Sequence, residues 1–415
     1  MQKKIWFVVG MVLVLVTGTS YAQSGCSPID VRTEAILPLG IQNKLLAHRV
    51  KADDLELEAP ADVGGDVVVL RKTLDVATQA FFRCEAKIDA APTALQSALA
   101  EFLHTDRSKR ADDSAEVYGS NLTVHVEDAK GFLDSVFVVL TFGIECGDDN
   151  LLLLFTKDGD HWKERLHWYA DKYTAPSDAF GDFFPYAGVP GPEGKPAVAV
   201  AHGTPWCTSR MSGFKVDLIK PSDSDSPQKL LASTHSGYSR GDTTPTLKPY
   251  PEGVTLRLDD SSADLEGVFT YVGVFRYRTT TGGLVRLPVA GNVRDFVDSW
   301  LAESWAIAAS WSADPGQNLK SAHERFSYDD ANKDVPTIHY GAIRRCTSGT
   351  SHFQTEIDLT DIRPVSGKPQ ESKLPAIYAQ VRQNSDSFTM LSISEKADAS
   401  CTGPDLMKKV PDAQR

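Results

Sequence analysis

The sequence lacks a basic cluster, a C-x-x-C pair and, beyond its first residues, a long apolar run. It has 415 residues, of which 43 are lysine or arginine and 55 are aspartate or glutamate, so the formal net charge is -12. Nucleic acids and anionic membranes attract proteins through lysine and arginine, so we expect neither as a partner. After residue 22 no stretch is long and apolar enough to cross a bilayer as a helix, so the mature chain is expected to have no transmembrane segment.

Residues 1–22 have the pattern of a signal peptide. Lys3 and Lys4 precede an apolar run at residues 5–16, which is too short to remain in a membrane as a spanning helix. The small residue Ala22 favours cleavage before Gln23. Both lysines leave with the signal, so the mature chain would carry a net charge of -14. The pattern therefore predicts an exported, soluble protein that is periplasmic or secreted.

Six cysteines are dispersed along the chain, which in an oxidising compartment indicates structural disulfides. The simplest pairing stays within each third of the chain: Cys26 with Cys84, Cys146 with Cys207, and Cys346 with Cys401. Zinc ligands would need clustered spacing that the sequence lacks, so we expect no metal site and no cofactor. Lipid attachment at Cys26 is the alternative for that residue, although the expected apolar position before it is missing.

The apolar pattern divides the mature chain into three parts. Residues 23–118 read as a small mixed region, with extended pieces at 55–57 and 67–70, a turn at Gly64 and Gly65, and a helix at 93–103. Residues 119–291 read as an antiparallel β domain, either a sandwich or an incomplete propeller-like sheet. Within them, the hairpin at residues 151–169 is similar to a propeller-type blade. Strands are predicted there at residues 124–126, 136–142, 151–155, 162–169, 197–201, 214–219, 230–233, 254–258, 268–278 and 284–289.

After Gly291 the apolar period changes from two to about 3.6. Asn292 is a suitable N-cap for a helix with an apolar stripe as far as Trp311, and Pro315 can open a second helix that ends near Phe326. Strands are then predicted at residues 338–345, 353–359, 376–382 and 388–393. Residues 292–401 are therefore expected to form a helix-helix-four-strand α+β domain, similar in shape to NTF2-like or cystatin-like domains, before a polar tail at 402–415. The chain as a whole is predicted to be mainly β with α+β character, and shape alone implies no activity.

Two predicted strands carry the candidate ligand-binding residues. The first set is basic and alternates with apolar residues along one strand: His161, Lys163, Arg165 and His167. On an ideal strand these side chains share a face, which could contact an anion or acidic glycan or could simply be solvated. The second set is aromatic and shares a face of another strand: Phe269, Tyr271, Phe275 and Tyr277. Such a ladder either stacks on sugar rings or packs in the core.

No catalytic set survives a structural test. Ser239 lies in a G-x-S-x-G match, but a nucleophile elbow needs a helix after the serine, and Pro245, Pro249 and Pro251 fall in that stretch. We therefore expect no catalytic residue at Ser239.

The sequence thus favours a non-catalytic binding or interaction module of the cell envelope, with a glycan or protein partner. A hydrolase acting on an extracellular or envelope polymer is the alternative, with Glu145, Asp158 or Asp160 as candidate carboxylates. A chaperone or assembly factor, which would expose an apolar patch or a free strand edge, is a third possibility.

Overall fold

The structure is a computed structural model. It describes residues 26, 28–48, 60–105, 117–145, 147–170, 172–174, 183–203, 211–224, 226–239, 244–264, 267–327, 336–347, 349, 351–365, 368–384 and 387–406. None of the helices in these ranges combines the length and the apolar composition that crossing a bilayer would require. The predicted signal peptide lies outside the described residues.

The N-terminal part is helical. It contains α1 (Pro28–Leu46), α2 (Ala61–Cys84) and α3 (Pro92–Phe102). The helix predicted at 93–103 is confirmed, but the extended piece predicted at 67–70 is wrong, because these residues lie within α2. Val67, Leu70, Leu74 and Phe81 follow helical spacing and are all buried in one core, and this burial outweighs the strand preference of the valines. Residues 55–57 lie outside the described part of the chain.

Gly64 is part of α2 and not of a turn, and it allows a close approach. A Cβ atom at Gly64 would lie 2.3 Å from the carbonyl oxygen of Tyr173, so only glycine lets the helix backbone contact that segment. At the other end of α2, Cys84 forms a disulfide with Cys26. The predicted pairing is therefore confirmed here, and it joins the start of α1 to the end of α2.

Twelve strands follow α3 and form three four-stranded antiparallel sheets. They are β1 (Thr123–Asp128), β2 (Ser135–Ile144), β3 (Gly147–Asp158), β4 (His161–Trp168), β5 (Tyr186–Pro190), β6 (Pro196–Gly203), β7 (Met211–Lys220), β8 (Lys229–Ser239), β9 (Thr246–Tyr250), β10 (Gly253–Asp264), β11 (Gly267–Thr280) and β12 (Gly283–Leu287). All ten strands predicted in this region are confirmed, and β5 and β9 are additional. Both additional strands lie at sheet edges and contain proline, which is tolerated there because an edge strand leaves some N–H groups unpaired.

The helices and sheets stack in the order of the chain. The first sheet (β1–β4) packs one face on α2 and α3 and its other face on the second sheet (β5–β8). The second sheet packs its opposite face on the third sheet (β9–β12). Each sheet consists of four consecutive strands, which is the connectivity of propeller blades and not of a Greek-key sandwich. The prediction of a mainly antiparallel β fold with α+β character is confirmed.

The C-terminal part contains three helices and a fourth sheet. Its elements are α4 (Val293–Ala302), α5 (Trp305–Ser310), α6 (Gln317–Phe326), β13 (Thr337–Arg345), β14 (His352–Val365), β15 (Lys368–Gln383) and β16 (Phe388–Ser394). Asn292 caps α4 as predicted, accepting hydrogen bonds from the backbone N–H groups of Arg294 at 2.8 Å and Asp295 at 3.1 Å. The single helix predicted as far as Trp311 is wrong, since it is interrupted between α4 and α5. The second helix begins at Gln317, two residues after Pro315.

The fourth sheet and α4–α6 share a core of their own. The predicted disulfide between Cys346 and Cys401 is confirmed and lies within this part. Cys146 and Cys207 lie outside the described residues, so their pairing stays a prediction. The predicted boundaries at 118/119 and 291/292 also stay predictions, and the first core includes residues from both sides of the former.

Arg286 on β12 connects the third sheet to the C-terminal helices. Its guanidinium group forms an ion pair with Glu303 and lies 4.5 Å from the ring centroid of Phe275. Its backbone oxygen accepts a hydrogen bond from the indole N–H of Trp311 at 3.0 Å. Helix and sheet residues therefore meet around one partly buried arginine.

Candidate functional site

A β-bulge in β4 separates the predicted basic residues. Leu154 on β3 pairs with Leu166, and the next residue, Phe155, pairs with Glu164, so Arg165 is an extra residue without a partner on β3. The bulge reverses the faces of the strand. Trp162 packs in the core under α2, whereas Leu166 packs in the core between the first and second sheets. The expectation that one face carries all four basic side chains is therefore wrong: His161 and Lys163 precede the bulge and His167 follows it.

The residues around the bulge and the facing helix α2 bring two carboxyl groups and an imidazole together. His167 Nδ1 lies 2.9 Å from the Oε1 atom of Glu164, and both side chains interact electrostatically with Asp75 on α2. Asp75 is 5% exposed and accepts a hydrogen bond from Gln79 Nε2 at 2.9 Å. Burial, reinforced by the charge of Glu164, raises the pKa of the Asp75 carboxyl to about 6. We call these three residues the α2–β4 acid group.

The outer edge of β4 is covered by the loop after β7. The side-chain amide of Gln228 bonds the backbone of His167 twice, accepting from its N–H at 2.9 Å and donating to its carbonyl oxygen at 2.9 Å. The Arg165 side chain donates to the backbone oxygen of Ser222, whose hydroxyl donates back to the Arg165 carbonyl at 2.9 Å. The Arg165 side chain is therefore engaged in an internal hydrogen bond. The same contacts satisfy backbone groups at the edge of β4 that could otherwise pair with another chain.

Two residues of the aromatic set, Phe275 and Tyr277, have described side chains, and both contribute to the core. Phe275 is 5% exposed and Tyr277 is 1% exposed, and both pack between the second and third sheets. The ring of Phe275 contacts Phe214 edge-on at 4.9 Å. These two residues fit the alternative of core packing, while the side chains of Phe269 and Tyr271 lie outside the described part.

The structure does not bring the candidate catalytic residues together. Ser239 is the last residue of β8, and β9 begins seven residues later, so a strand follows where a nucleophile elbow requires a helix. Glu145 is 4% exposed and accepts a hydrogen bond from the Tyr118 hydroxyl at 3.0 Å. Asp158, the last residue of β3, and Asp160, in the turn before β4, are both exposed.

A buried polar group lies between the first and second sheets. Asp217 Oδ2 accepts from the indole N–H of Trp168 at 3.0 Å and lies 3.3 Å from His202 Nε2. Burial lowers the pKa of His202, so its imidazole is neutral at physiological pH. His202 is 0% exposed, so the group lies beyond the reach of a substrate and serves to satisfy polar atoms within the sheet interface.

A cleft lies beside the turn between β1 and β2. Its volume is about 310 Å³, and we call it the β1–β2 cleft. The start of α3, the β1–β2 turn, the end of β3 and the start of β4 form its walls. Its lining combines exposed charges of both signs with apolar side chains: Ala90, Pro92, Asp128, Ala129, Lys130, Phe132, Asp134, Ser135, Val136, Lys157 and Trp162.

Hydrogen bonds hold the turn that forms one wall of the cleft. Gly131 and Asp134 have positive φ angles of 94° and 47°. The Asp134 carbonyl oxygen accepts from the Lys157 N–H at 2.9 Å, and the Ser135 hydroxyl donates to the Leu133 carbonyl oxygen at 2.7 Å. Sequence reasoning missed this site, since only the glycine and the alternation of charges within residues 128–135 could have indicated a structured turn.

No group of three or more histidine, cysteine, aspartate or glutamate side chains is arranged to hold a metal ion within the described ranges. The chain matches no protein-family model, and no curated protein matches it. Among solved structures, one similar chain is an NTF2-like protein involved in plasmid conjugation. It is 10% identical, the alignment covers 47% of this chain and 76% of that one, and the TM-score of 0.12 is too low to support an argument about fold or function.

Proposed function

We propose that this protein is a non-catalytic binding module of the cell envelope, periplasmic or secreted, which holds its partner in the β1–β2 cleft. The observation that supports this proposal is the cleft itself, an open cavity of about 310 Å³ with both apolar and charged walls. Ligand sites commonly combine an apolar lining with a few polar groups and begin at about this size. The two described disulfides are consistent with an oxidising compartment.

The test is calorimetric titration of the full chain with envelope glycan fragments and with short peptides. Lys157→Met keeps an unbranched side chain over the Trp162 ring but removes the charge from the cleft. It should weaken binding by roughly tenfold, the effect of losing one hydrogen bond to a charged group. Lys163→Met is the matched control, because Lys163 lies on the same hairpin but does not line the cleft. Equal affinities for both variants and the wild type would exclude the cleft as the binding site.

A second candidate, a hydrolase acting on an envelope polymer, is supported by the α2–β4 acid group. General acid-base catalysis commonly uses a carboxyl group whose pKa is raised, and burial, together with the charge of Glu164, raises the pKa of Asp75 to about 6. The full chain would then release reducing ends or peptides from envelope polymers, and Glu164→Gln would abolish this activity without affecting binding in the cleft. Absence of any product from the wild-type protein would eliminate this candidate.

A further inference from the structure

We propose that the occupant of the β1–β2 cleft is an extended segment of another polypeptide, with a large apolar side chain that packs on Leu133 and polar groups on both sides of it. This inference rests on the proposed function, because it names the class of partner for the same cleft. Three features of the described residues support it: an exposed leucine, a lining with charges of both signs, and an aromatic residue that is almost completely buried.

Leu133 is the first feature. It is 85% exposed, more than any other large apolar side chain in the described ranges, and it lies at the tip of the β1–β2 turn beside the cleft. Its neighbour Phe132 lines the cleft and packs towards Phe137, with ring centroids 6.1 Å apart. The turn therefore directs one apolar side chain inward and holds the other in solvent, where an apolar side chain of a partner would cover it.

The charges of the lining are the second feature. Asp128 and Asp134 are negative, Lys130 and Lys157 are positive, and all four are exposed at the cleft. A polyanion or a polycation would meet repulsive charges on half of these positions. A polypeptide segment offers both N–H donors and carbonyl acceptors along its backbone, so it can use both kinds of group.

The aromatic residue is the third feature, and it argues against a glycan. Sugar rings bind proteins by stacking on an exposed aromatic face, but Trp162 is only 5% exposed. Phe82 contacts it edge-on at 5.7 Å, and the ammonium group of Lys157 lies 5.5 Å from its ring centroid. The ring therefore serves as an apolar wall and not as a stacking platform.

The second sheet holds the turn in place from behind. The carbonyl oxygen of Lys130 lies so close to β5 that a Cβ atom at Gly188 would approach it to 2.1 Å. Because the turn is fixed by this contact and by its own hydrogen bonds, little conformational entropy is lost when a partner binds.

The experiment places a photo-cross-linking residue at the turn. The full chain with Leu133→p-benzoylphenylalanine is exported by living cells, irradiated, and analysed by mass spectrometry. We expect a protease-sensitive adduct that maps to one segment containing a large apolar residue. Val289→p-benzoylphenylalanine is the matched control, because Val289 is also exposed, at 40%, but lies away from the cleft lining. It should not give this adduct.

A synthetic peptide with the sequence of the cross-linked segment is then titrated into the purified protein. Leu133→Ser and Lys157→Met should each weaken its binding by about tenfold, the effect of losing one partly buried leucine or one charged contact. Lys163→Met should bind like the wild type. Because Leu133 is exposed, its replacement by serine should leave folding unchanged, which circular dichroism verifies.

The outcomes separate this inference from the proposed function. A carbohydrate adduct at position 133, or a glycan fragment whose binding depends on Lys157, would overturn the polypeptide proposal and leave the cleft as a binding site. An equal adduct at position 289, or a peptide that binds Leu133→Ser normally, would also overturn it. If neither adduct forms and no glycan fragment binds, both proposals are wrong.

Discussion

Replacement of Asp75 by asparagine should raise the free energy of unfolding at neutral pH. It should also reduce the change of that free energy with pH. Burial of the Asp75 carboxyl, together with the charge of Glu164, raises its pKa from 3.8 to about 6. The unfolded chain ionises this group near the ordinary value, so between about pH 4 and pH 6 the folded protein binds more protons than the unfolded chain. Because the unfolded state binds fewer protons, the contribution of Asp75 to stability falls as the pH rises through this range.

The magnitude follows from the size of the pKa difference. A rise from 3.8 to about 6 corresponds to a cost of about 3 kcal/mol once the carboxyl is ionised in both states. Below about pH 4 both states are protonated and the cost disappears. Asparagine at this position cannot ionise, and its carbonyl oxygen can still accept the hydrogen bond that Gln79 Nε2 donates at 2.9 Å. Relative to the wild type, Asp75→Asn should therefore raise the free energy of unfolding by up to about 3 kcal/mol at pH 7.5 and by almost nothing at pH 3.5.

The assay is urea unfolding of the oxidised full chain, followed by tryptophan fluorescence in steps from pH 3.5 to pH 8. Asp62→Asn is the control, because Asp62 lies on the exposed side of the first turn of the same helix. If Asp75→Asn and the wild type lose stability in parallel between pH 4 and pH 7, the argument fails. Destabilisation by Asp75→Asn at pH 7.5 would also contradict the argument, because it would show that ionised Asp75 stabilises the fold.

Three further predictions concern stability and are tested by urea unfolding. Gly64→Ala should lower the free energy of unfolding by roughly 2 to 4 kcal/mol, because its Cβ atom would lie 2.3 Å from the Tyr173 carbonyl oxygen. An unchanged urea midpoint would contradict the close contact. Gln228→Ala should cost about 1 to 2 kcal/mol, since it removes two hydrogen bonds to the β4 backbone, and Gln228→Glu should restore only part of this. Replacing Cys346 and Cys401 together by serine should cost about 4 kcal/mol for a sequence separation of 55, and a loss below 1 kcal/mol would contradict the chain-entropy argument.

Strands could be predicted from the sequence wherever apolar residues alternate or form short runs, and helices wherever a cap precedes a stripe of period 3.6. The valines of α2 were misassigned because strand preference is local, whereas their burial under the first sheet depends on tertiary contacts. The two missed strands, β5 and β9, contain proline and lie at edges, where alternation is weak. The interruption before Trp305 was missed because the apolar stripe continues across it.

The candidate site was less accessible from the sequence. Period two predicts a shared face for His161 and His167, but the bulge at Arg165 adds one residue and reverses the second half of β4. Nothing in the strand sequence marks that insertion. Asp75 and Glu164 are far apart in the chain and meet only because α2 packs on β4, so their coupling could not be inferred from spacing.

The stacking of layers in chain order has a consequence for how the protein acquires its structure during synthesis. Each sheet packs on the layer that precedes it in the sequence, and both described disulfides close loops within one part, with separations of 58 and 55 residues. A chain that emerges from the ribosome with its N-terminus first can therefore complete one layer before the next arrives. The following sheet can then pack on the exposed face of each finished layer, so folding can advance with synthesis.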